Sequence, residues 1–244
     1  MFGFSSAKGG VGVTVTAALT AAASRSSGSD EVLLVDLAGD LPAALGAPSS
    51  ALGIGDWLWS TSDDAGLRRL ESKVADGISL LCIGEQSIDR PLEAQRVADH
   101  VSVGATSTDG SLDGGFARRR ALVALLEQDP RLVIVDLGHI RADEPEGALT
   151  RLLAERCARS YLVVRACYLG LRRATATAGL IRRDGVVLVK EPGRALRSDD
   201  VGRVLDLPVC AEIDLDPLIA RSIDAGLILQ RPPRAALRSV RHLL

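Results

Sequence analysis

The chain has 244 residues and a formal net charge of −2, with 47% hydrophobic but only 3% aromatic residues. That length suits one large α/β domain whose core is built from Ala, Val, Leu and Ile. The near-neutral charge excludes a globally basic coat for nucleic acid and leaves room only for a local patch.

The first element is a strand that runs into a glycine-rich loop, "AKGGVGVT" (7–14), and then a helix, "TVTAALTAAASR" (14–25). Short apolar runs rich in leucine and β-branched residues follow at 31–37, 77–83, 131–137, 160–166, 185–191 and 207–213. Their apolar residues are continuous rather than alternating, as in strands buried on both faces. Between them lie segments with helical spacing at 117–128, 146–158 and 200–207. This order predicts an α/β fold: a mostly parallel, twisted sheet with helices on both faces and ligands at the carboxyl ends of the strands.

Residues 84–116, polar and glycine-rich, read as a long surface loop or insertion. Residues 1–230 then form a single domain, and 231–244, "RPPRAALRSVRHLL", a basic tail with helical spacing. Leu237 and Val240 fall toward one side of that tail, with Arg234, Arg238 and Arg241 largely on the other. Such a segment suits a membrane surface, phosphates of DNA, or a terminal helix that packs its leucines on the domain. The N-terminus shows no basic leader or apolar h-region, and no segment has the apolar length of a membrane span. The expected location is cytoplasmic, peripheral at membrane or nucleoid if the tail makes such contacts. Four cysteines without a CxxC pair, and three histidines apart from them, fit free thiols in a reducing compartment better than a zinc or disulfide framework.

The glycine loop is the main carrier of chemistry. A strand, glycines and a helix start would aim unpaired N–H groups and a positive dipole end at an anion. The hydroxyl of Thr14 stands where a phosphate loop meets magnesium. Asp40, in a Gly-Asp turn, reads as turn or helix-cap chemistry, and His139 as a structural or solvated strand-end residue.

"AKGGVGVT" resembles the deviant Walker A loop of the MinD/ParA group of P-loop ATPases, whose signature lysine matches Lys8. "VLLVDLAGD" (32–40) is similar to the family's second strand, with Asp36 at its first aspartate. "LVIVDLG" (132–138) is similar to its Walker B strand, with Asp136 at the magnesium-linked position. The order of elements at 161–174 and 185–227 also follows the family, so the resemblance spans nearly the whole chain outside 84–116. It implies a P-loop NTPase fold and ATP or ADP bound with Mg²⁺ by Lys8, Gly9, Gly10, Val11, Gly12, Val13 and Thr14. It places the metal at Thr14, Asp36 and Asp136. It also implies a homodimer in which the counterpart of Lys8 reaches the partner's nucleotide, and a protein partner or cargo adaptor.

Three positions depart from the family. The second loop lysine is Val13, the second aspartate of the VDxD strand is Ala38, and the asparagine that often reads adenine is Lys190. They fall at phosphate charge, water activation and base recognition. The resulting expectation is a catalytically impaired positioning or scaffold factor. The alternatives are a slow ATPase cycling between monomer and ATP-bound dimer, and a DNA- or membrane-binding module with a vestigial site that takes no nucleotide.

Overall fold

A computed structural model of the chain describes residues 1–28, 31–86, 88, 111–141 and 148–244, with the side chains of 111–114 excepted. In chain order the elements are β1 (Phe2–Ser6), α1 (Val13–Ser26), β2 (Val32–Asp36), α2 (Leu41–Leu45), α3 (Ile54–Leu58), α4 (Asp64–Arg68), β3 (Ser72–Ala75) and β4 (Ile78–Leu81). They continue with α5 (Ser111–Glu127), β5 (Leu132–His139), α6 (Leu149–Arg156), β6 (Arg159–Arg165), α7 (Tyr168–Ala176), β7 (Gly185–Lys190), α8 (Ser198–Leu205), β8 (Val209–Asp214), α9 (Pro217–Asp224), α10 (Arg234–Val240) and a 3₁₀ turn at Arg241–Leu243.

The strands form one sheet in the order β3-β4-β2-β5-β1-β6-β7-β8. Only the edge pair β3–β4 is antiparallel. The apolar runs become the parallel strands because both their faces are covered. Leu34, Ile134, Tyr161, Val163, Val187 and Ile213 pack on one face with the α1 residues Val13, Ala17 and Ala21. Leu33, Val35, Val133 and Val135 pack on the other, with Trp57 of α3, Leu122 of α5 and Leu153 of α6. On that second face, toward β7, Leu162, Val164 and Leu188 meet Leu171 of α7 and Val201 of α8.

Parallel strands bring the loops after β1, β2 and β5 to one edge. Asp36 at the end of β2 lies in register with Asp136 of β5, and Ser6 at the end of β1 lies beside His139. This edge is where open α/β sheets bind ligands.

Two boundaries differ from the sequence-based expectation. The helix expected at 117 begins at Ser111, so 111–116 are helix rather than loop; most of the rest of 84–116 lies outside the described residues. The segment 231–244 is not a free amphipathic tail. Ala236, Val240 and Leu243 are buried in the α1-side core, with Leu237 packed against them, and the Tyr161 hydroxyl donates to the Leu243 carbonyl at 3.2 Å. Val240, expected as a membrane or DNA contact, is fully buried, and burying apolar surface against α1 and β8 is what holds it there. Arg234, Arg238 and Arg241 remain exposed. Among the described residues, no helix is long and apolar enough to cross a membrane.

Candidate functional site

The loop between β1 and α1 turns sharply, with Gly10 and Gly12 in left-handed conformations at φ 72° and 104° that favour glycine. Gly12 precedes the 14-residue α1 and has no side chain to cap it, and its carbonyl takes the Thr16 amide at 2.9 Å. The first-turn amides of a helix have no intrahelical partner, so the start of α1 offers donors and a positive dipole end. A Cβ built on Gly9 or Gly10 would meet nothing within 4 Å. The loop therefore opens on free space that an anion can enter.

That space is a cleft of about 1030 Å³. Gly9 to Thr16 form its floor, with Ala38 and Asp40 after β2 and Gly138 and His139 at the end of β5. The far wall is mixed, with Val189, Ile213, Leu215, Ile219 and Ile223 interleaved with Asp214, Asp216 and Asp224. The loops after α2 and α9 pack closely: a Cβ on Gly46 would lie 2.9 Å from the Gly226 Cα, and both glycines have positive φ.

Two carboxylates sit fully buried beneath the loop. Asp136 accepts from the Gly138 amide at 2.9 Å through Oδ1, while its Oδ2 has no hydrogen-bond partner. Burial pushes its pKa up to about 7; the nearby Thr14 hydroxyl opposes the rise and the Asp36 charge adds to it. Asp36 is engaged differently. Its Oδ1 accepts from Ala38 and Gly39 at 3.0 and 2.8 Å, and Oδ2 from Leu41 at 3.1 Å. Burial raises its pKa and those three amides pull against the rise.

A buried carboxylate oxygen without a partner calls for a cation or proton. Thr14 and Asp136 Oδ2 therefore fit a magnesium site. Among the described residues no group of three or more His, Cys, Asp or Glu side chains could hold a metal. Asp36, expected as a metal residue, has both oxygens already engaged in shaping the 38–41 loop.

The remaining expected residues divide. Val13 is among the cleft residues, and it is buried in the core cluster with Val11 and Ala17. It does not project along the phosphate path. Lys8 does not line the cleft; its carbonyl accepts from the Ser6 hydroxyl at 3.0 Å. Ala38 lies at the cleft floor, where a Cβ on Gly138 would come within 3.3 Å of its methyl. Asp40 precedes α2 and faces the cleft without capping the helix. Lys190 turns away to pair with Glu212 and Asp214 of β8 at 2.9 and 3.1 Å. Arg165, at the end of β6, lines the cleft and was not singled out by the sequence. Its signal is the alternation within 160–166, which puts it on the face of Tyr161 and Val163.

This architecture recurs in solved structures. The fold is that of the ParA and MinD ATPases. A ParA family ATPase from Chlorobium tepidum superposes with a TM-score of 0.70, 20% identity, and coverage of 99% of this chain and 97% of its own. Septum site-determining protein MinD from Pyrococcus horikoshii, complexed with Mg-ADP, gives 0.69 at 17% identity over 99% and 93%. An aspartate-to-alanine variant of McdA from Cyanothece, complexed with ATP, gives 0.62 at 17% over 98% and 92%. No protein-family model matches the sequence, and no curated protein does.

Proposed function

We propose that this chain binds ATP with Mg²⁺ in the cleft, hydrolyses it slowly or not at all, and acts as a dimeric positioning or scaffold protein. One observation carries the binding half. The open start of α1 stands over a buried Asp136 whose Oδ2 has no partner, so the anion donors and the cation acceptor are both in place without a ligand. Thr14 and Asp136 would hold the ion, which when bound neutralises phosphate charge. The apolar side chains of Val189, Ile213 and Ile219 on the far wall, among its carboxylates, suit the face of a nucleobase.

The catalytic half is impoverished. Phosphoryl transfer depends on positioned charge around the transferring group. Val13 puts its side chain into the core, and Ala38 offers the cleft floor a methyl where the family has a carboxylate to orient water. Losing one transition-state donor lowers turnover by about a hundred- to a thousandfold. The nucleotide complexes of MinD and of the McdA variant support retention of binding on this fold.

Calorimetric titration with ATP, with and without Mg²⁺, beside a turnover assay, tests the reading. Magnesium-dependent binding with turnover at the no-enzyme level is expected, and Thr14→Ala should lose the magnesium dependence. Turnover well above that level and abolished in Thr14→Ala would establish a working ATPase instead. No binding of ATP or ADP would mean a vestigial site.

A further inference from the structure

Val13 leaves the loop without the second lysine, and Lys8 does not line the cleft of its own chain, so within one chain a side-chain cation for a polyphosphate must come from elsewhere in the cleft. Among the described residues, the arginines lining the cleft are Arg165 and the exposed Arg141. We propose that Arg165 is the phosphate-binding cation of this site, supplying from β6 and within the same chain the charge that Val13 lacks. This rests on the nucleotide-binding reading above.

Three observations place Arg165 there. Side chains alternate along a strand, and Tyr161 and Val163 of β6 pack in the same cluster as Val11 and Val13. Arg165 continues that set, so it stands on the α1 face at the carboxyl end of the strand. In register it pairs with Val189 of β7. A Cβ on Gly12 would lie 3.8 Å from the Val189 methyl, which brings the left-handed glycine before α1 to within one residue of Arg165 across the sheet.

The third observation concerns hydrogen bonding. The Arg165 Nε is buried and has no hydrogen-bond partner. A guanidinium cannot shed its proton to relieve this. Carboxylates also line the cleft: Asp214 of β8 pairs with Lys190 at 3.1 Å, and Asp216, before α9, accepts the Leu218 amide at 2.8 Å. A planar, delocalised cation with an unused donor, set in a cleft beside an open helix start, is suited to phosphate oxygens. Asp136, whose buried Oδ2 has no partner, lies on β5 in line with Tyr161 rather than Arg165, so the two charges stand at separate places beneath the cleft.

The test is titration of wild type, Arg165→Gln and Arg165→Lys with Mg-ATP and with inorganic tripolyphosphate. Loss of one charge-assisted contact should weaken both ligands by about ten- to a hundredfold in Arg165→Gln, with an unchanged ligand-free melting temperature. Arg165→Lys should retain most of the affinity. Equal binding by wild type and Arg165→Gln would overturn this assignment and leave the nucleotide reading intact. A loss in Arg165→Lys as deep as in Arg165→Gln would also overturn it, because charge would not be what is recognised. Failure of wild type to bind either ligand would overturn both readings.

Discussion

Asp136 shows how a single residue trades stability for a ligand. A carboxylate buried with one oxygen unpartnered costs the fold, on the order of 1–3 kcal/mol for the missing hydrogen bond. Asparagine at 136 keeps the Oδ1 acceptor for the Gly138 amide. It removes the buried charge and turns an NH₂ toward Thr14. Asp136→Asn should therefore raise the ligand-free melting temperature by several degrees while abolishing magnesium-dependent nucleotide binding. Differential scanning calorimetry in EDTA checks the first half, and titration with Mg-ATP the second. A lower melting temperature would mean that the orphaned oxygen is not a burden on the fold. Gly12 and Thr14 could be placed at the cleft from the glycine loop, and Asp136 from the resemblance of 132–138 to a Walker B strand. Asp36 was legible as a position only; its engagement with three loop amides depends on how 38–41 turns. Arg165 was hidden for a different reason. Alternation gives it a face, but only the sheet order says that the face is α1's.

At the scale of elements, the parallel strands could be read because continuous apolar runs have few other uses. β3 could not, since "SKVA" is a short edge with two exposed residues and no pattern. Nor could α2, α3 and α4, each five residues long, whose ends are fixed by contacts such as Asp56 accepting the Gly53 amide at 2.8 Å. One staple ties this less regular half to the sheet. Arg131, just before β5, meets Glu71 at 2.6 Å and Asp129 at 2.7 Å, with all three side chains largely buried. Burial alone would raise the Asp129 pKa, but hydrogen bonds and charge from Arg131 outweigh it and hold it below the ordinary value. Arg131→Met leaves two buried carboxylates unpaired and should cost about 3–5 kcal/mol at neutral pH. The sign with pH follows from the depressed folded pKa. The Asp129 contribution is complete above the unfolded value, about 3.9, and is lost as pH falls through the folded one. Urea melts of both proteins should differ most near pH 7, with the gap starting to close near about pH 4 and vanishing only once pH has fallen through the lowered Asp129 value. A gap independent of pH would mean that packing, not charge, is what the arginine contributes.

For the whole molecule, the decisive element is the C-terminal segment. It reads in sequence as a basic amphipathic helix, and composition cannot say whether its apolar side meets lipid or protein. The fold answers with a surface already prepared: α1 and β8 leave an apolar strip that Ala236, Val240 and Leu243 cover, directly behind the helix whose N-terminus faces the cleft. Phe4 and Tyr161 stack beneath it at 5.6 Å. Removing the segment would uncover α1, so a truncation cannot separate a surface-binding role from loss of folding. Point substitutions can. Leu243→Ala should destabilise by about 2–5 kcal/mol through the cavity it leaves, and should loosen nucleotide binding only through α1. Replacing the exposed Arg234, Arg238 and Arg241 together by glutamine should leave stability within about 0.5 kcal/mol. If these arginines meet DNA phosphates, that triple variant loses affinity for duplex DNA and flattens its salt dependence, while Leu243→Ala at low temperature does not. If the segment instead inserts into a bilayer, Val240 and Leu243 must leave the core. Vesicle binding would then increase in Leu243→Ala, which weakens the packed state without placing a charge on the apolar face. The buried positions of both residues predict the opposite: Leu243→Ala loosens the C-terminal segment and gains no lipid binding, which vesicle co-sedimentation beside a thermal melt would check.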